Sequence, residues 1–206
     1  MKYKLYNRDG SGGFVVEAAL VLADASFDLV KLDSKPGTPL PATFREVNPW
    51  GQVPVLILPD GTKMTESAAI ALHLAACYPD KRLGPVPGTT EHAVFLRWMI
   101  FMSANVYEGV LRAGYPERYT TDPSGARAVS EAGENRLGEA LRTIEAELEP
   151  GPFLLGATMT LADVYLAMMF NWYRGDNSLP RVTALRKTVA SNPVLVALWR
   201  RHFGDL

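Results

Sequence analysis

Thiol is scarce in this sequence. Of its 206 residues only one, Cys77, is a cysteine. A lone cysteine cannot close an internal disulfide, which fits a reducing compartment, and without a C-x-x-C pair dithiol redox chemistry lacks its residues. Excess charge is missing too. The 21 Lys and Arg face 22 Asp and Glu, for a formal net charge of -1. A chain that lives by phosphate contacts carries a basic face, so nucleic acid is not an expected partner. Long apolar runs are also absent, and none approaches the roughly 20 residues that span a bilayer. The stretch Val164–Phe170 is apolar but short, and reads as a buried helix. Residues Met1–Tyr6 alternate Lys and Tyr without the apolar core of a secretory signal. The cytoplasm is the expected location, with no membrane partner and no metal.

What is present is core-forming material. The hydrophobic fraction is 48% and the charged fraction 21%, which places the chain among globular proteins. Lys2–Tyr6 alternates as a strand does, and Phe14, Val15, Ala18, Ala19 and Leu22 recur at helical spacing after a Gly10–Gly13 turn. Strands are expected at Phe27–Leu32, Val53–Leu58 and Thr62–Thr65, the last two joined by the turn Pro59-Asp60-Gly61. A short helical piece is expected at Ala42–Glu46 and an Ala/Leu-rich helix at Ser67–Ala76. Cys77 and His73 go with that helix, Cys77 buried among Ala and Leu. Prolines and glycines between Pro79 and Thr90 mark a linker. Helices are expected over Glu91–Arg112, Ala126–Glu149, Leu161–Tyr173, Val182–Ala190 and Pro193–His202. The second carries Leu137, Leu141, Ile144 and Leu148 on one face. The composition changes from mixed α/β to all-α at the linker. Two domains are therefore expected, 1–80 and 91–206, joined by 81–90.

Three motifs suggest chemistry or mark the ends of elements. In Asn48-Pro49-Trp50-Gly51-Gln52-Val53-Pro54-Val55-Leu56, Pro54 precedes a strand and cannot give it an N–H. If the Val53–Pro54 bond is cis, the Val53 backbone turns outward, where an extended peptide can pair with it. In Thr65-Glu66-Ser67, a helix start offers N–H groups and a positive dipole end to an anion. Ser67 can bond a carboxylate and Glu66 an ammonium, although ordinary helix capping explains the same pair. In Gly156-Ala157-Thr158-Met159-Thr160-Leu161-Ala162-Asp163, Thr160 and Asp163 form a capping box, with Met159 and Val164 at staple positions. That third motif is structural.

The order N-P-x-G-Q-V-P-V-L, then E-S, then G-x-x-x-T-x-A-D in a helical second half resembles the cytosolic glutathione transferases over essentially the whole chain. The resemblance implies an N-terminal thioredoxin-like domain followed by an all-helical bundle, usually assembled as a homodimer. It implies glutathione as co-substrate and a detoxification-type conjugation to a small apolar electrophile. Val53 would pair with the cysteinyl part of glutathione beside a cis Pro54. Glu66 and Ser67 would hold the γ-glutamyl end, and Gln52 would support the peptide or its carboxylates. Lys35 stands where bacterial members often place a basic residue near the glycyl carboxylate; a solvated loop lysine is an equal reading.

A free thiol ionises near pH 8.5, so lowering that by about two units takes roughly 2.7 kcal/mol. One hydrogen bond to a charged acceptor supplies about 1.5–3 kcal/mol and a helix N-terminus about 0.3–1. A single hydroxyl at the first helix therefore suffices. Ser11, in Tyr6-Asn7-Arg8-Asp9-Gly10-Ser11-Gly12-Gly13, resembles the active residue of serine-type members, and it is also a plausible helix cap. Beta-type members carry a cysteine in this loop, and an ungapped reading puts Gly12 there. The Gly12 or Gly13 N–H groups are a further option for binding the thiolate. Tyr6 is the second candidate, by analogy with tyrosine-type members. In the helical half, Met102, Ser103, Val106, Tyr107 and Tyr115 are expected to line the electrophile pocket, with Asn105 able to add a polar contact. A glutathione-binding protein of the same fold with little transferase activity, and a glutathione-dependent disulfide reductase or isomerase, are the alternatives.

Overall fold

Alternation along Tyr3–Asn7 becomes strand β1, with Tyr3, Leu5 and Asn7 buried and Lys4 exposed. In this computed structural model, which describes residues 2–33, 38, 40–148, 151–175 and 178–205, β1 is central to a four-stranded sheet. It pairs in parallel with β2 (Phe27–Lys31) and antiparallel with β3 (Val55–Ile57), which pairs antiparallel with β4 (Lys63–Met64). The strand order is β2-β1-β3-β4. Helix α1 (Phe14–Leu22) joins β1 to β2, α2 (Phe44–Val47) precedes β3, and α3 (Ser67–Cys77) follows β4. This is the expected β-α-β then β-β-α order of a thioredoxin-like domain. The strands are shorter than expected at Pro54 and Thr65, because the ladder begins only at Val55, opposite Tyr6.

Contacts divide the chain into two units, residues 1–89 together with 190–206, and residues 90–189. The expected boundary assigns everything after residue 90 to the helical half. The last helix, α9 (Val196–Phe203), departs from it. Phe14 of α1 meets Trp199, His202 and Phe203 edge-on, at ring-centroid distances of 5.4, 5.2 and 5.0 Å. The helix expected over Pro193–His202 is present, but nothing in its local pattern says which partner buries it.

The second unit is helical throughout its regular elements: α4 (Thr90–Phe101), α5 (Glu108–Gly114), α6 (Ala126–Glu147), α7 (Leu161–Phe170) and α8 (Pro180–Ala190). Leu137, Leu141, Ile144 and Leu148 are all buried, as the stripe predicts. Helices α5 and α6 approach closely through glycines. A methyl on Gly109 would stand 2.9 Å from the Leu137 Cβ, and one on Gly133 2.6 Å from the Ala113 backbone nitrogen. The single helix expected over Glu91–Arg112 is interrupted by a π-helical turn at Met102–Tyr107. There the Asn105 side-chain amide donates to the Phe101 carbonyl at 3.0 Å. No helix among the described residues is long and apolar enough to cross a membrane.

Candidate functional site

The segment before β3 is a built turn. The Asn48 amide donates to the Gln52 carbonyl at 2.8 Å, while its own oxygen accepts the Trp50 N–H at 3.1 Å. The Gly51 N–H closes the turn on the Asn48 carbonyl at 2.8 Å. Asn48 is buried at 5% exposure, and these bonds explain why an amide is tolerated there. The Val53–Pro54 bond that follows is cis, as anticipated. Pro54 is buried, Val53 half-buried and the Gln52 side chain exposed.

Glu66 lies at the entrance of α3 with φ 64° and ψ 106°. A non-glycine residue in that region costs about 1–3 kcal/mol, and such strain concentrates at ligand sites. Its carbonyl accepts the Ile70 N–H at 2.9 Å, starting the helix. Glu66 thus occupies the cap position and Ser67 is the first helical residue, so capping by the Ser67 hydroxyl is not what begins α3. Glu66 is exposed and Ser67 half-buried. Lys35 lies outside the described residues.

Ser11 is buried at 8% exposure. Its Oγ accepts the Gly13 N–H at 3.1 Å and its carbonyl accepts the Phe14 N–H at 3.1 Å, but the N-cap of α1 is Gly13, so Ser11 shapes the turn before the helix and is not the cap expected from the sequence. Two acceptors lie within reach of its one hydrogen, the Asn7 Oδ1 at 2.8 Å and the Arg8 carbonyl at 2.9 Å. Gly12 is buried. Of the two glycine N–H groups considered for the thiolate, that of Gly13 is already committed to Ser11. A methyl on Gly13 would fall 1.9 Å from the Asn7 Oδ1, so this close approach requires glycine. Tyr6 is half-buried with its ring 6.0 Å from that of Phe44, in keeping with a packed strand residue.

Beneath this loop lies a polar cluster that sequence reading missed. The Asn7 Nδ2 donates to the Glu17 Oε2 at 3.3 Å, and the His202 Nε2 lies 3.2 Å from the same oxygen. Arg201 pairs with the Glu17 Oε1 and, at 3.0 Å, with the Asp9 Oδ1. Lys31 pairs with the other Asp9 oxygen. The Gly10 N–H donates to the His202 Nδ1 at 3.3 Å. That nitrogen therefore carries no proton, and the Nε2–H points at Glu17. Burial would raise the Glu17 carboxyl, but the His202 hydrogen bond and the Arg201 guanidinium outweigh it and hold it below the ordinary carboxylate range. One signal was legible: Glu17 is the only charge within the apolar run Phe14–Leu22, and buried acids need partners. Its partners lie some 185 positions along the chain, beyond any local pattern.

In the helical unit the expected electrophile residues separate. Met102 and Val106 are fully buried, so they present no surface to a ligand and belong to the core instead. Ser103, Tyr107 and Tyr115 keep partial exposure. Tyr107 packs on Tyr165 and Trp172, and the Arg118 guanidinium sits 4.1 Å over the Tyr115 ring. Asn105 receives Arg136 at 2.7 Å and is spent on structure. This unit carries an open groove of about 540 Å³ beside α5 and α6, bordered by Ala104, Glu108, Arg112 and Arg136. None of the five expected residues lines it.

The capping box at α7 is formed as expected. The Asp163 carboxylate accepts the Thr160 N–H at 2.7 Å and also reaches the Leu154 N–H at 2.8 Å. Cys77 is a correction. It ends α3 exposed, with its Sγ 3.4 Å from the His73 Nε2, because it falls on the solvent side of the last turn.

Residues 15–77 match the glutathione S-transferase N-terminal domain family and residues 127–190 the corresponding C-terminal domain family. An uncharacterized GST-like protein, YncG of Escherichia coli K12, is 30% identical over 97% of this chain and 98% of its own. A bacterial GST, BphK, solved as a ternary complex, superposes with a TM-score of 0.82 at 28% identity, covering 96% of this chain and 98% of that one. A sphingomonad glutathione S-transferase complexed with glutathione gives a TM-score of 0.80 at 26% identity, covering 96% and 97%. By these matches the chain belongs to the glutathione S-transferase family.

Proposed function

We propose that the chain binds glutathione along residues 52–67 and transfers its thiolate to a small apolar electrophile. The observation that carries this is Glu66. An exposed acid held at φ 64°, directly before Ser67 at the start of an 11-residue helix, is a costly arrangement that local folding does not need. A γ-glutamyl group supplies the matching pair, an ammonium for Glu66 and a carboxylate for Ser67 and the α3 N-terminus. Val53 stands outside the β1–β3 ladder, which begins at Val55, so its backbone suits the extended cysteinyl portion. Gln52 is exposed beside it and supports the peptide's carboxylates. A solved relative that carries glutathione supports the same ligand here.

In the reaction the thiol loses its proton to solvent. The Ser11 hydroxyl donates a hydrogen bond to the resulting thiolate and keeps its own proton. The sulfur then forms a bond to the electrophilic carbon as a leaving group departs or a π bond is taken up. Ser103, Tyr107 and Tyr115 are the remaining candidates for contact with the electrophile. The protein is expected in the cytoplasm as a homodimer, which sedimentation equilibrium checks.

Calorimetry tests the binding half. Wild type should bind glutathione, and Glu66→Ala and Ser67→Ala should each weaken it about tenfold, the equivalent of one charge-assisted bond. Unchanged affinity in both variants defeats the assignment. Conjugation to an aryl halide tests the transfer half. One feature favours a second reading, a glutathione-binding protein with little transfer: the single Ser11 hydrogen already has two acceptors inside the loop. Glutathione binding without turnover on a broad electrophile panel would select it.

A further inference from the structure

The buried cluster under the Ser11 loop has a directional logic. The His202 Nδ1 accepts the Gly10 N–H at 3.3 Å, so its Nε2 carries the proton and faces Glu17. Arg201 compensates the Glu17 charge and bridges to Asp9, which Lys31 pairs from β2. Glu17 is thus an ionised carboxylate, and an ionised carboxylate only accepts. Asn7 must therefore present its Nδ2 to Glu17, at 3.3 Å, and its Oδ1 to Ser11, at 2.8 Å. Two oxygens at that distance repel unless a hydrogen lies between them, and the only one at hand is the Ser11 hydroxyl hydrogen.

We propose that Glu17 is a positioning residue for Ser11: by accepting the Asn7 amide it turns the Asn7 carbonyl onto the hydroxyl and holds that hydrogen back from the glutathione sulfur. This rests on the reading of Ser11 as the thiolate's donor. A charged sulfur is a stronger acceptor than a neutral amide, so the hydrogen can still swing out when glutathione binds. Doing so leaves the Asn7 and Ser11 oxygens facing each other bare, and Asn7 cannot turn over while Glu17 is charged. The acidity of bound glutathione is then set partly by a residue of α1 that never touches it. Through Arg201 and His202, it is also set by the last helix of the chain. Glu17→Gln supplies an N–H where Asn7 now meets only acceptors, so the Asn7 amide can reverse and donate to the Ser11 oxygen. Asn7→Ala removes the Asn7 carbonyl, so that of the two loop acceptors only the Arg8 carbonyl at 2.9 Å remains, and it leaves the Glu17–Arg201–His202 contacts in place.

The test is the thiol pKa of bound glutathione, read from thiolate ultraviolet absorbance against pH. It is measured in full-length wild type, Glu17→Gln and Asn7→Ala, each with and without Ser11→Ala. Both single variants should lower the thiol pKa by roughly half to one unit, the difference between bonds to charged and neutral acceptors. Both shifts should vanish in the Ser11→Ala background. A purely structural role for Glu17 moves stability without this acidification. Should the shifts persist without Ser11, they come from lost negative charge through space, and the proposal is overturned. It is equally overturned if Ser11→Ala raises the pKa by the same amount in every background, an outcome that leaves Ser11 as donor. If Ser11→Ala changes nothing in any background although glutathione binds, the Ser11 assignment itself falls, and this inference with it. Asn7→Ala keeps the question open to measurement if Glu17→Gln folds poorly.

Discussion

Each unit buries a carboxylate in the first turn of a helix, and the two are stabilised in opposite ways. Glu17, in α1 of the first unit, faces a guanidinium, an imidazole N–H and an amide. These favour its charged form strongly enough to lower its pKa in spite of burial. Asp163, in α7 of the second unit, has two backbone N–H groups and the Thr160 hydroxyl but, among the described residues, no cation. Burial pushes it up to about 6 against those bonds. Neutral donors suffice to cap a helix; a counter-ion is needed to keep a buried acid fully ionised. The first arrangement sits beneath the candidate site and the second holds a loop to a helix, which is why only the first has a consequence for chemistry.

The largest expected effect comes from breaking the charged cluster. Glu17→Ala should cost about 3–5 kcal/mol in urea unfolding at pH 7, because Arg201 loses its buried partner. A loss below 1 kcal/mol would show that solvent already screens the pair. Gly13→Ala should follow, at about 1–3 kcal/mol with reduced conjugation, since the methyl meets Asn7. Asp163→Ala should cost about 1–2 kcal/mol, the range of a helix cap. The two carboxylates should then part company with pH. The folded Glu17 pKa is depressed, so its contribution is present above about pH 4.3 and lost as pH falls through the lower folded value. The folded Asp163 pKa is raised to about 6, so its contribution is full below about pH 3.9 and declines as pH rises through 6. Stability differences between wild type and Glu17→Gln or Asp163→Asn, followed from pH 3 to 7, should therefore slope in opposite directions; parallel slopes refute the contrast. At the small end, Glu147→Gln should change stability by less than about 1 kcal/mol, because its bond to Arg97 is exposed.

Much of the fold was readable from short-range pattern. The alternation in β1, the turn at Pro59–Gly61 and the apolar stripe of α6 each lie within a few residues, the range over which period and turn chemistry act. The capping box at Thr160 and Asp163 is equally local. Site residues divided on the same line. Val53, Pro54, Glu66 and Ser67 sit in contiguous motifs, and the structure gives Val53–Pro54 the expected cis bond, while the positive φ of Glu66 had no counterpart in the sequence pattern. Met102 and Val106 were misassigned because helical spacing shows a face but not what covers it. Cys77 was placed inside for the same reason. The π turn at Met102–Tyr107 breaks the period of its helix and left no mark in composition.

By itself, then, the sequence determined the element order, the family and the chain-local parts of the candidate glutathione site, because hydrophobic period, caps and turns are properties of neighbouring residues. Only the tertiary structure decided where α9 packs, and with it the partners of Glu17. Burial of an acid demands a counter-charge, but nothing along the chain says which distant Arg and His will supply it. That choice was made by the packing of Phe14 against Trp199 and Phe203, which carries Arg201 and His202 to the carboxylate. The orientation of the Ser11 hydroxyl follows from it.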